Sequence, residues 1–157
     1  MKEKIKSYAF FILSALAVGG LSAFFTRNNM DINNDVLMPP LSPPAILFPI
    51  VWTILFILMG ISAGMIYNST APQKQKESAL LTYALSLAVN FSWNIIFFNL
   101  RAFGFAFFWL LLLLFLIILT IVKYFKINKI AAYLQIPYAL WVTFAGYLTA
   151  GIWWLNR

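Results

Sequence analysis

The sequence predicts an all-α membrane protein, a single five-transmembrane-helix bundle occupying residues 1–157. Three observations predict it. First, 63% of the residues are apolar, 18% aromatic and only 10% charged, with a mean hydropathy of +0.88. Water-soluble domains carry about 45–50% apolar and about 25% charged residues, so this chain lacks the polar surface to coat a soluble core. Second, five apolar runs, each near the ~20 residues that cross a bilayer, alternate with short polar breaks. Third, those runs show no dyad alternation. In hydrocarbon every backbone group must be satisfied internally, so the choice falls on helices over a closed barrel.

The first span, residues 5–26, follows Lys2, Lys4 and Lys6. Ala15-Leu16-Ala17 has the form of a signal-peptide cleavage site, but the apolar run continues through Val18, Leu21, Phe24 and Phe25, long enough to span. The loop over residues 27–44 is the longest and ends in Met38-Pro39-Pro40-Leu41-Ser42-Pro43-Pro44. Fixed φ angles and missing donors make that stretch extended and stiff. It reads either as a rigid turn into the second helix or as a lid over a cavity opening at the outer face.

In the second span, residues 45–68, Phe48, Trp52, Phe56 and Met59 share one helical face. Gly60-Ile61-Ser62-Ala63-Gly64 is a GxxxG motif, expected to pack helices within one subunit rather than between subunits. The third span, residues 79–100, aligns Ser86, Asn90, Trp93, Asn94 and Phe97, and the fourth, residues 103–124, is a long apolar stretch. The fifth, residues 131–155, aligns Tyr138, Trp141, Ala145 and Leu148, with Ala145 leaving space beside the indole. It also carries a looser small-residue pair, Gly146 and Ala150, and ends in Trp153 and Trp154, read as interfacial anchors.

Charge placement sets the expected topology. The amino terminus, second loop and fourth loop hold eight lysines, and the opposite side holds Arg27, Arg101 and Arg157. The positive-inside rule then puts the amino terminus in the cytoplasm and the carboxyl terminus outside. The +7 net charge is thereby topology, and nucleic acid is excluded as a partner; the helices leave no room for a soluble domain. No His or Cys is present, which removes disulfides, thiolate nucleophiles, imidazole bases, Cys/His metal sites and the commonest haem ligands. No ionisable Asp, Glu, Lys or Arg lies deep in a span, so ion-coupled transport is disfavoured.

The spans do offer three aromatic faces able to enclose a flat apolar ligand. Ordinary helix packing is the competing explanation. Against it, Trp52, Trp93 and Trp141 carry indole N–H groups that seek acceptors, and Asn90 and Asn94 are costly in lipid unless satisfied. A shared pocket meets both demands.

Several blocks resemble the translocator protein and tryptophan-rich sensory protein family (TspO/MBR, also called peripheral-type benzodiazepine receptors). Pro43-Pro44, then Trp52, Leu55-Phe56 and Met59-Gly60, is similar to the start of its helix two. Ala88-Val89-Asn90-Phe91-Ser92-Trp93 with Phe97-Phe98, Arg101 and Gly104 is similar to its helix three and third loop, and Pro137 to Ala145 to its helix five. The resemblance implies a five-helix membrane protein, often a homodimer, expected in the bacterial cell membrane, that binds porphyrins and hydrophobic synthetic ligands beneath the first loop. Carried over position by position, its pocket would use Pro43, Pro44, Phe48, Trp52, Phe56, Asn90, Trp93, Trp141, Ala145 and Leu148.

The chain also departs from the family pattern. Ile32 and Asn33 stand where a Trp-Tyr pair is usual, Leu41 where a Trp is usual, Trp109 where helix four commonly has an Asp, and Thr149 where helix five has an Asn. Ala150 replaces the Tyr of the animal sterol motif. Val122-Lys123-Tyr124-Phe125-Lys126 fits only the loose formula, so no sterol site is expected.

The preferred functional expectation is a non-enzymatic protein that binds tetrapyrroles and other planar apolar molecules in sensing, regulation or transport. It needs no cofactor; porphyrin or haem is the ligand, and without His or Cys a metal-free porphyrin suits it better. The alternative is an enzyme that breaks down porphyrin with light and oxygen, with Trp52 and Trp141 against the macrocycle. A small efflux protein is a third reading.

Overall fold

The computed structural model describes residues 1–32 and 34–157. Among them are five long helices: α1 (Lys2–Thr26), α2 (Leu47–Tyr67), α3 (Gln73–Asn94), α4 (Phe103–Phe125) and α5 (Lys129–Leu155). One π-helical turn, Ile95–Asn99, extends α3. No strand occurs among the described residues. Four of the helices, α3 taken with its π turn, are long and apolar enough to cross a membrane. The fifth, α5, has 27 residues, but Gln135, Pro137 and its tyrosines dilute its hydropathy.

Helix ends follow local chemistry rather than hydropathy. α3 starts at Gln73, six residues before the expected Ala79. Pro72 occupies the N-cap with ψ 142°, and the Gln-Lys-Gln-Lys-Glu run behind it consists of good helix formers that stand clear of the apolar zone. α5 starts at Lys129 because the Asn128 side chain accepts from the N–H groups of Ile130 at 2.9 Å and Ala131 at 3.2 Å. At the far end of α3 the π turn closes with Leu100 N–H on the Ile95 carbonyl, and Arg101 adopts a left-handed φ of 50°.

The most extensive helix contacts are α4 with α5 and α1 with α2. The GxxxG motif makes the second of these: Gly60 lies under the Ile12 backbone and Gly64 under the Tyr8 ring, so a Cβ at either position would collide with α1. The motif therefore works within the subunit. Asn68 ties the same end of the pair together, donating to Ser7 Oγ at 2.8 Å and to the Gly64 carbonyl at 2.8 Å. Lys123 at the end of α4 donates to Ser78 Oγ and Thr82 Oγ1 on α3, gathering the lysine-bearing helix ends at one pole of the bundle.

The first loop lies fastened across the opposite pole. Asp35 pairs with Arg101 at 2.7 Å. The Asn156 side chain grips both backbone groups of Leu37, accepting from its N–H at 2.8 Å and donating to its carbonyl at 2.9 Å. Tyr147 donates to the Pro40 carbonyl at 2.6 Å. Pro39 is buried on Gly151, where a side chain would strike the Pro ring, and Ile32 is buried too. Leu41, exposed at the loop tip, takes a left-handed φ of 69°, which a leucine adopts only when its surroundings impose it. Ser42 braces that turn through a 2.7 Å bond to the Pro39 carbonyl. Asn33, the second residue of the Trp-Tyr departure, lies outside the described residues.

Candidate functional site

The stripes from α2, α3 and α5 turn toward one another. Phe56, Asn90, Trp93, Ala145 and Leu148 are buried, and Phe48, Trp52 and Trp141 are half-buried. Ring contacts link them across helices. Phe48 of α2 meets Trp141 of α5 edge to face with centroids 5.8 Å apart. Trp52 packs on Phe56 at 5.6 Å and meets the Tyr138 edge at 6.1 Å. On α3 and its π turn, Trp93 stacks on Phe97 at 4.9 Å, and Phe97 in turn contacts Phe98 and Phe103.

A polar strut joins α3 to α5 inside this cluster. Asn90 Nδ2 donates to the Tyr138 hydroxyl at 2.7 Å, both side chains being at most 1% exposed. Asn94 donates to the Asn90 carbonyl and to Asn90 Oδ1, so the Asn90 amide is engaged on both sides. The indoles differ. Trp93 Nε1 and Trp141 Nε1 are buried and find no acceptor among the described residues. Buried donors are almost always paired; elsewhere in the bundle Ser22 Oγ and the Tyr83 and Tyr124 hydroxyls are likewise without a partner among the described residues.

Pro43 is half-buried and Pro44 exposed, and the Pro44 carbonyl accepts from Leu47 N–H at 3.0 Å, which opens α2. Within the cluster the ring contacts fall into two sets, one between α2 and α5 and one within α3, its π turn and Phe103 of α4, and the Asn90–Tyr138 bond joins them. The open space near it lies on its outer side. A groove of about 460 Å³ runs between α2 and α5, lined by Val51, Ile54, Leu55, Pro137, Trp141 and Phe144 among others. A second, of about 210 Å³, lies between α4 and α5, with Gly146 and Ala150 in its wall.

Some polar links escape sequence inspection. Trp109 Nε1 donates to Ser92 Oγ on α3 at 2.8 Å, an interhelical bond at the position where the resembled family commonly has an Asp. Gln135 donates to Ser62 Oγ, which donates to the Ala131 carbonyl, joining α2 to α5. Thr149 turns back to the Ala145 carbonyl of its own helix instead of reaching a neighbour. Trp153 packs over Gly104 and near Phe107, so it is a helix contact as well as an interfacial ring. Tyr124 of the loose sterol pattern is fully buried, away from any bilayer sterol.

No group of metal-ligating side chains occurs among the described residues. A family model described as the TspO/MBR family matches residues 10–155. The chain is 32% identical to "Tryptophan-rich protein TspO" of Chlorobaculum tepidum, with 99% of each chain covered. It is 30% identical to "Protein CrtK" of Rhodobacter capsulatus over 95% of this chain and 92% of that one. It is also 30% identical to the "Translocator protein" of Bos taurus, over 98% and 91% respectively.

Proposed function

The chain belongs to the TspO/MBR family of integral membrane proteins, and on that premise we propose that its ring cluster binds porphyrins and similar planar apolar molecules in a sensing, regulatory or transport role. The observation that carries this reading is the pair of buried indole donors, Trp93 Nε1 and Trp141 Nε1, without acceptors among the described residues and set amid stackable rings. Ring stacking and apolar burial at about 25 cal/mol per Å² supply affinity. The indole N–H groups orient a carboxylate or carbonyl, while Asn90, already engaged with Tyr138 and Asn94, holds the helices in place. A macrocycle entering the cluster replaces ring–ring contacts with ring–pigment contacts, so the cost of parting the rings is largely offset.

On this reading the positive-inside rule puts the lysine-rich pole in the cytoplasm and the fastened loop outside. Single introduced cysteines, unique in a chain that has none, test that placement by one-sided labelling. A homodimer would have to use a surface other than the GxxxG face, which α1 already covers. Titration of the purified protein in lipid nanodiscs with a panel of porphyrins tests the ligand: saturable quenching of tryptophan emission is expected, and its absence across the panel refutes the reading. The enzymatic alternative draws on Trp52, which meets Tyr138 at 6.1 Å and so offers a pair of oxidisable rings beside a bound pigment.

A further inference from the structure

We propose that planar ligands reach the ring cluster sideways from the bilayer, through the α2–α5 groove with Trp141 as its gate, and not beneath the first loop. The inference rests on the ligand-binding reading above and concerns its route. The loop side is closed by an ion pair, a two-point grip on Leu37, a hydroxyl bond to Pro40 and the buried Pro39–Gly151 contact. Access from that side would require breaking these contacts together. The bilayer side needs none of them broken.

The groove of about 460 Å³ is lined by carbon-rich side chains, with Ile54 and Leu140 exposed at its rim. An apolar molecule already dissolved in lipid meets no desolvation cost there. Its back wall is shared with the cluster. Leu55, buried, and Trp141, half-buried, line the groove, and the Trp141 ring also touches Phe48 at 5.8 Å and Phe144 at 5.6 Å. Rotation of this one indole therefore joins groove to cluster. Two features favour such movement: Trp141 Nε1 has no acceptor among the described residues to hold it, and Pro137, one turn away in α5, lacks the N–H that would bond the Tyr133 carbonyl. The occupant is the planar apolar ligand itself, held edge-on between α2 and α5 before the indole turns.

The experiment compares two variants in nanodiscs by stopped-flow, reading the emission of metal-free protoporphyrin. In the first, Ile54→Trp with Leu140→Trp fills the groove from its lipid-exposed rim. In the second, Leu37→Cys with Asn156→Cys is joined by a short bis-thiol reagent, which fastens the loop covalently; the chain has no other cysteine. Filling the groove is expected to slow association and dissociation at least tenfold with the equilibrium constant within twofold. Fastening the loop is expected to leave both rates within twofold. Unaltered rates in the groove variant, or a tenfold slowing in the fastened loop, overturn the route while leaving the binding reading intact. No saturable binding to the unsubstituted chain overturns both.

Discussion

The Asn90–Tyr138 strut gives the sharpest test of what holds the bundle together. Its two side chains are at most 1% exposed, and the bond between them measures 2.7 Å. Replacing Asn90 by Leu leaves the Tyr138 hydroxyl without its donor in hydrocarbon surroundings; replacing Tyr138 by Phe leaves the Asn90 amide without its acceptor. Orphaning a buried polar group costs about 1–3 kcal/mol, whereas removing both partners together comes closer to neutral. Interhelical hydrogen bonds measured in membranes average about 0.6 kcal/mol and reach about 1.7. Each single variant should therefore lose about 1–2 kcal/mol, and the double variant should lose no more than one of them. That leaves a coupling of at least about 1 kcal/mol. Reversible unfolding in mixed micelles with increasing denaturing detergent measures all four corners of the cycle. Strictly additive losses, with coupling under about 0.3 kcal/mol, would refute the strut. They would also reopen Asn90 as a direct ligand contact.

Four further outcomes are expected. Trp93→Phe and Trp141→Phe should each weaken a porphyrin bearing carboxylates by about tenfold, the worth of one charge-assisted hydrogen bond, and leave an alkyl porphyrin without carboxylates nearly unaffected; equal losses for both ligands in a binding titration would count against the indole donors. Gly60→Leu, which drives a side chain into the Ile12 backbone, should destabilise by about 1–3 kcal/mol. The same change at Gly20, where the space is open, should cost less than about 0.5 kcal/mol in the same unfolding assay. Arg101→Gln should cost at most about 1 kcal/mol, since its side chain is 38% exposed and that of Asp35 53%, and the loss should shrink in high salt. Under illumination with bound protoporphyrin, a Trp52→Phe, Trp141→Phe double variant should lose pigment as fast as the unsubstituted chain if the protein only binds; a marked slowing, followed by absorbance, would favour the enzymatic reading.

Five apolar runs without dyad alternation, in a chain only 10% charged, were enough to announce an all-helical bundle in lipid, because hydrocarbon leaves the backbone only helices or closed barrels and the runs lack a barrel's alternation. The 3.6-residue spacing likewise placed Trp52, Asn90 and Trp141 on the faces that turn inward. Hydropathy could not find the start of α3, since it reports contact with lipid and not helical hydrogen bonding, and Gln73 to Ser78 form helix in polar surroundings. Nor could spacing reveal the Asn156 grip on Leu37, the Tyr147 bond to Pro40 or the Trp109 bond to Ser92, each spanning residues distant in the chain.

Sequence alone thus determined the solvent, the helical class and which faces are aromatic, all consequences of local composition and period. Tertiary structure decided which donors are already spent and which remain free, that the GxxxG motif serves α1 rather than another subunit, and that the loop is bound down while a lipid-facing groove is open. Those depend on the relative rotation and height of packed helices, which an individual helix's own pattern does not encode.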